Sequence, residues 1–340
     1  TLDAGPGFAH LCAHLARLRD ELDVEVLIID SGSTDGTAER AEAAGLHLHR
    51  IRREEFGHGR TRNLGVRLTA GDVVCFLTQD VLPCTPDWPA RFAAALRDPR
   101  VAGVYGRQIP RDATTMEMFF VALNYPAEPL RFDPAPRRQH PRPGRVLFSN
   151  AFSAVRRDVA LRIPFADDVP VSEDQVWAYK VLAAGHSIAY EPAAEALHAH
   201  RYSLRGLFRR TRLIGRALRT AGIDGGASFT ESVRFLATEL RYFVAQGHTH
   251  RLPQLLAYEF VRWAGFQVGR RGGRGANARR PQCSGAAANQ GGSPDGLLRT
   301  AARLLEPDRC IAGITRRLWR RHRGRQFIIE VLRQRCACVA

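Results

Sequence analysis

The sequence predicts an α/β fold, a mostly parallel sheet flanked by helices. Three observations carry it. Val24 to Ile29 (VEVLII) and Val73 to Leu77 (VVCFL) are short apolar runs rich in β-branched residues, the composition of strands buried on both faces. Each run stops at a carboxylate, Asp30 directly and Asp80 three residues on, and in an open parallel sheet the C-terminal strand ends border the ligand crevice. Amphipathic helical stretches lie between the runs, the alternation that builds strand–helix–strand units.

The elements follow in order. Thr1 to Gly7 reads as the loop after a strand that is not there, so the fold is expected to lack its first strand. Phe8 to Leu22 is an amphipathic helix with Phe8, Leu11, Leu15, Leu18 and Leu22 on one face. It leads into the Val24 strand, and Ser31 to Thr37 then supplies glycines, hydroxyls and carboxylates suited to a charged ligand. A helix over Ala38 to Ala44 would take Asp35 or Thr37 as N-cap. Leu46 to Ile51 is a short strand, and Glu54 to Asp72 begins as a Gly-punctuated loop that turns helical near Thr61. Arg60, Arg62 and Asn63 sit at that helix start, a position suited to anion contact. The Val73 strand ends in Thr78, Gln79 and Asp80.

Pro86 to Leu96 is a helix, and Val101 to Tyr105 a strand that runs out into Gly106, Arg107 and Gln108. Asp112 to Arg145 is irregular and rich in Pro and Arg, which reads as a lid. Phe148 to Val155 resumes as a strand. Ser172, Glu173 and Asp174 open a helix over Gln175 to Ala184, with Ser172 as cap and the acids suited to the dipole. Trp177 on that helix reads as core rather than as a stacking platform. Ser187 to Tyr190 is the last strand, followed by His198 and His200. Helices are predicted over Leu204 to Thr220, Ser228 to Gln246 and Leu252 to Phe266. Arg270 to Gly296 is Gly, Arg, Ala and Asn without a period and reads as disordered, and Arg316 to Arg335 as a basic helix.

Composition narrows the function classes. At 340 residues the chain can bury a large core. Its seven cysteines are odd in number and scattered, which argues for reduced thiols. With no long apolar run and no leader pattern, the protein is expected to be cytoplasmic. The net charge of +16 is uneven: residues 201–340 hold 27 of the 50 basic groups and 8 of the 34 acidic ones. That excess favours peripheral contact with an anionic inner-membrane face. The tail lacks the interleaved aromatics of a stacking platform, so no nucleic acid is expected, although a nucleic-acid-binding protein using the Arg-rich tail is the alternative class.

No Gly-x-Gly-x-x-Gly follows the first strand and no Walker loop is present. What remains is a crevice edged by Asp30, Asp80, Glu173, Asp174 and the His198/His200 pair. Carboxylates with an imidazole suit Mg²⁺ or Mn²⁺, with Asp80 as the natural ligand. Arg107 and Gln108, at a strand end, are placed to contact a sugar.

Several strings together resemble one family: IIDSGSTDGT, FGHGRTRNLG, FLTQD, VYGRQIP, SEDQVWAYKVLAAG and YEPAAEALHAHRYS, over roughly residues 1–215. The chain resembles the family-2 inverting glycosyltransferases of GT-A (Rossmann-like) fold, most closely their bacterial rhamnosyltransferase-like branch. The resemblance implies a GT-A domain over 1–215, with 216–269 a helical extension and 270–340 a disordered basic tail. It implies a nucleotide-diphosphate sugar as donor, with Asp30 meeting the base. Ser33, Arg62, Asn63, Gln79, Arg107 and Gln108 complete the expected donor-binding set. Asp80 takes the place of the last Asp of the family's Asp-x-Asp motif, Thr78 replacing the first, and His198 or His200, His198 favoured, would complete the metal site. Asp174 corresponds to the family's catalytic base, with Glu173 touching the acceptor or orienting Asp174. The implied reaction moves a sugar, L-rhamnose from dTDP-rhamnose, to a saccharide or lipid-linked saccharide in cell-surface polysaccharide synthesis. An inactive, truncated relative is the remaining alternative.

Overall fold

A computed structural model describes residues 1–22, 24–110, 121, 124–134, 147–198, 202–223 and 229–271, of which 229–232 by backbone alone. The described residues belong to one compact unit, Thr1–Asn277, and 278–340 lie outside the described residues.

Helix α1 (Phe8–Glu21) buries Phe8, Leu11, Leu15 and Leu18 at helical spacing. Leu22, expected on that face, lies past the helix end and is 42 % exposed. Strand β1 (Leu27–Asp30) is shorter than the apolar run from Val24, because its parallel partner β2 (His47–Arg50) pairs only from Leu27. Between them α2 (Thr37–Ala43) starts after Gly36, at φ 83° the left-handed residue, while Asp35 Oδ1 accepts the Thr37 N–H at 3.0 Å in the manner of a cap. Helix α3 (His58–Leu68) begins at His58 rather than near Thr61. Gly59 is required there, since a Cβ would strike the Ala166 carbonyl.

The larger sheet contains β3 (Val73–Leu77), β7 (Phe152–Arg156), β5 (Val101–Ile109), β8 (Ser187–Leu197) and β4 (Leu82–Pro83) in that order, with β6 (Leu130–Phe132) also on β8. Its pairings are more mixed than expected. β5 and β8 run parallel, but β7 enters between β3 and β5 antiparallel to both, and β4 and β6 are antiparallel to β8. β5 and β8 outrun their predicted ends, and β7 starts only at Phe152, so Phe148 to Ala151 forms a loop and turn instead of strand. Gly106 permits the longer β5, since a Cβ would lie 2.5 Å from the Phe152 ring. β6 falls within the expected lid, and residues 135–145 of the PAPRRQHPRPGR stretch lie outside the described residues.

Apolar clusters cover both faces of the sheet. Trp88, Phe92 and Phe152 join α1 and α4 (Trp88–Ala95) to one side. Tyr105, Phe148, Phe165 and Trp177 fill the other, beneath α5 (Arg157–Arg162) and α6 (Glu173–Ala183). Trp177 is fully buried, stacks on Phe165 at 5.2 Å and donates Nε1–H to the Ile163 carbonyl at 2.7 Å, as a core residue should. Ser172 precedes α6 at φ 62° and makes no side-chain cap bond; the Gln175 N–H is taken by Asp174 instead.

Helix α7 (Leu204–Thr220) runs through the expected boundary at 215/216. It packs on α9 (Leu252–Arg271), where Gly265 and Gly269 leave room for the Phe208 and Arg212 backbones; α8 (Phe229–Ala245) completes the trio. Arg270 and Arg271, expected to be disordered, close α9; 272–296 and 316–335 lie outside the described residues. Among the described residues no helix is long and apolar enough to cross a membrane.

Candidate active site

The sheet register assembles the first half of the site. Pairing of Leu82 with Leu197 brings Asp80 beside His198, with His198 Nε2 and Asp80 Oδ2 3.6 Å apart. The parallel register sets Gln108 opposite Ala196 and Ile109 opposite Leu197, so the His198 N–H reaches the Ile109 carbonyl at 2.8 Å. Gln108, 6 % exposed, meets His198 Nδ1 through Oε1 at 2.7 Å. The contact holds the imidazole with Nε2 turned toward Asp80. Gln108 Nε2 in turn donates to Ser149 Oγ at 3.0 Å. Thus Gln108 stands between His198 and Ser149.

The second half lies at the head of α6. Asp174 is partly exposed; its Oδ2 accepts the Asn150 N–H at 3.2 Å and its Oδ1 the Gln175 N–H at 2.8 Å. Burial, then the neighbouring Glu173 charge, pushes the Asp174 carboxyl up to about 6, against the pull of Arg62 and the two N–H donors. A carboxylate tuned to that range can take a proton near neutral pH. Glu173, 3 % exposed, is ion-paired with Arg62 Nη1, so Arg62 is committed to the base side of the crevice. Burial lowers the pKa of His58, one turn before Arg62 on α3.

Residues 149–150 join the halves. Ser149 holds the Gln108 amide and Asn150 holds Asp174. Asn150 Nδ2 and Thr78 Oγ1 are buried with no partner among the described residues. Asn150 Nδ2, on the residue whose N–H holds Asp174, is an orphaned polar atom that a polar ligand would satisfy. Ser149 and Asn150 fall inside the strand expected over Phe148 to Val155 and were not among the expected site residues. Their turn chemistry between Phe148 and Phe152 was the available signal.

Other expected site residues also hold the fold together. Asp30, 2 % exposed, accepts from Gly32 N–H and Ser33 N–H, each at 3.0 Å, from Ser33 Oγ at 2.5 Å and from Thr1 Oγ1 at 3.0 Å. Burial would raise its pKa, but those four hydrogen bonds prevail and lower it. Asp30 therefore fixes the loop that follows it, and Ser33 Oγ also accepts from the Asp3 N–H at 2.9 Å. Gln79 clamps Leu2, its Oε1 accepting the N–H at 2.8 Å and its Nε2 donating to the carbonyl at 3.0 Å. Asn63 is bound at both ends of its amide, from Phe165 N–H and to the Phe165 carbonyl, each at 2.9 Å, and to Asp167 at 3.1 Å. Arg107 pairs with Glu195 at 3.2 Å. His200 lies outside the described residues, and among those described no group of three His, Cys, Asp or Glu gathers.

The glycosyl transferase family 2 model matches residues 8–163. O-antigen chain rhamnosyltransferase RfbN of Salmonella typhimurium is 30% identical over 253 residues, 72% of this chain and 80% of that protein. O-antigen chain rhamnosyltransferase WbaN of Salmonella anatum is 29% identical over 278 residues, 79% and 87% of the two chains. Among solved structures, mannosyltransferase PcManGT from Pyrobaculum calidifontis, in complex with GDP-Man and Mn²⁺, is 20% identical with a TM-score of 0.45, covering 94% of this chain and 76% of that one.

Proposed function

The chain belongs to glycosyl transferase family 2, and on that premise we propose that it moves L-rhamnose from dTDP-rhamnose to a saccharide or lipid-linked saccharide, with inversion, in cell-surface polysaccharide synthesis. One observation carries the chemical assignment: a partly exposed Asp174 whose carboxyl is pushed up to about 6. In this reading the carboxylate takes the proton of an acceptor hydroxyl as that oxygen bonds to the anomeric carbon. The bond from that carbon to the diphosphate oxygen breaks, and its electron pair leaves with the nucleoside diphosphate. Glu173, held by Arg62, adds negative charge beside a transition state of oxocarbenium character.

Asp80 and His198 fit a Mg²⁺ or Mn²⁺ ion, because a carboxylate oxygen lies 3.6 Å from an imidazole nitrogen whose ring is held from behind. When bound, such an ion would neutralise charge on the departing diphosphate. Exposed Arg205, Arg209, Arg212 and Arg216 on α7 support peripheral contact with an anionic membrane, where lipid-linked acceptors lie.

The test is incubation with dTDP-rhamnose, Mn²⁺ and a lipid-linked saccharide acceptor, followed by NMR of the product linkage. Inverted anomeric configuration supports the assignment; retention, or no transfer from any nucleotide sugar, opposes it. Flotation with anionic vesicles at low and high salt tests the membrane contact, and absence of binding at low salt removes it.

A further inference from the structure

We propose that the outer face of α9 seats in the surface of an anionic lipid bilayer, its aromatic side chains entering the acyl boundary while the arginines of α7 engage headgroups. The proposal rests on the reading of those arginines as membrane-facing, and adds to it an apolar element that inserts. Leu256, Phe260 and Trp263 recur at i, i+4 and i+7, so they share one stripe of α9, and they are 48 %, 66 % and 51 % exposed. The Phe260 and Trp263 rings lie 6.2 Å apart and make one aromatic surface. Single apolar residues on a surface are ordinary, but three aligned on one helix form a face suited to contact with something apolar.

Charge selects the occupant. Before its terminal arginines α9 carries two charged residues, Glu259 and Arg262, which pair with each other. The Arg262 guanidinium lies over the Phe235 ring of α8 at 5.0 Å, so neither charge interrupts the stripe. Among the described side chains of α7, α8 and α9 the acids are Glu239, which is buried, and the paired Glu259. Arg205, Arg209, Arg212 and Arg216, by contrast, make an exposed row at i, i+4, i+7 and i+11 of α7. The Arg212 carbonyl faces Gly269, so that row borders the seam between α7 and α9. A second copy would bring like charges together, whereas anionic lipid offers a negative surface over an apolar interior, the boundary that Trp and Phe favour. On the inward side of α9, Phe266 packs on the cluster that includes Val176, two residues past Asp174. The inserting face is thus braced against the helix that carries the base.

The test is flotation of the full chain with vesicles of phosphatidylglycerol and phosphatidylcholine, or of phosphatidylcholine alone, at low and high salt. Wild type should bind the anionic vesicles and keep a bound fraction at high salt, because apolar insertion is not screened. Phe260→Ser/Trp263→Ser should bind about 10–100-fold more weakly and lose the salt-resistant fraction. Its melting temperature should match wild type, since both side chains are more than half exposed. Arg205→Gln/Arg209→Gln should weaken low-salt binding about tenfold. In a Trp319→Phe chain the other tryptophans, Trp88 and Trp177, are buried, so brominated acyl chains should quench the emission of Trp263. That readout decides the matter if the aromatic variant fails to fold. Wild-type affinity in the folded aromatic variant, or vesicle binding without quenching, would overturn this proposal and leave the arginine contact standing. A lipid-free dimer that the aromatic substitutions dissolve, with vesicle binding unchanged, would give the face to a second copy and overturn it as well. Wild type that binds no anionic vesicle at low salt would overturn both.

Discussion

Arg62 and Glu173 form an ion pair that is almost wholly buried, with side-chain exposures of 14% and 5%, at the residue next to Asp174. Removing either partner changes the field on Asp174 in opposite directions. Arg62→Met strands the Glu173 carboxylate, which should cost about 3–5 kcal/mol in urea unfolding. It also removes a group that lowers the Asp174 pKa, so the acidic limb of the rate profile should move to higher pH. Glu173→Gln removes a group that raises it, and the limb should move lower. Shifts of the same sign in both variants would refute the electrostatic account.

Asp174→Asn should retain nucleotide binding and lose about 10²–10⁴-fold in turnover. Wild-type activity should decline below about pH 6, as the base takes its proton. The raised pKa carries a stability consequence. Between the ordinary carboxylate range and about pH 6 the folded state holds a proton that the unfolded chain has released, so this group's contribution falls as pH rises and is fully unfavourable above 6. The melting temperature of Asp174→Asn relative to wild type should therefore increase between pH 4 and pH 6. A flat difference would mean that the carboxyl is not perturbed.

Asp80→Asn and His198→Ala should each abolish stabilisation by a nucleoside diphosphate that depends on Mn²⁺ or Mg²⁺, and a chelator should do the same to wild type. Isothermal titration of each variant reads this directly. Retained metal-dependent binding in either variant would remove that residue from the ligand set.

Glu239, 4 % exposed, lies near Glu259 and its partner Arg262 in the C-terminal helices, and its Oε2 has no partner among the described residues. Burial, then Glu259, pushes its carboxyl up to about 8. Wild-type stability should therefore fall as pH rises from the ordinary glutamate range through 8. Glu239→Gln should remove that slope, with a melting-temperature advantage that grows up to about pH 8 and then levels. Parallel pH curves for the two proteins would contradict this.

Much of this was legible in the chain, for reasons that differ by element. Apolar runs ending in Asp30 and Asp80 marked the strands, and helical spacing marked α1, because burial on two faces and on one stripe leave different periods. Asp80, His198, Glu173 and Asp174 were legible as types of residue at strand and helix ends. What was not legible is how hydrogen bonds are shared. Asn63 and Gln79 read as ligand contacts but hold Phe165 and Leu2, partners about 100 and 77 positions away along the chain. Gln108 read as a sugar contact, and only the parallel register of β5 with β8 shows it behind His198. Ser149 and Asn150 were hidden because a strand and a turn share the same few apolar flanks.

The most direct test of the central claim is a thermal-shift panel of dTDP, UDP, GDP and ATP, each with Mn²⁺, Mg²⁺ or chelator, on wild type and Asp80→Asn. The account predicts stabilisation by dTDP, only with metal and only in wild type. Equal melting temperatures across the whole panel would contradict it.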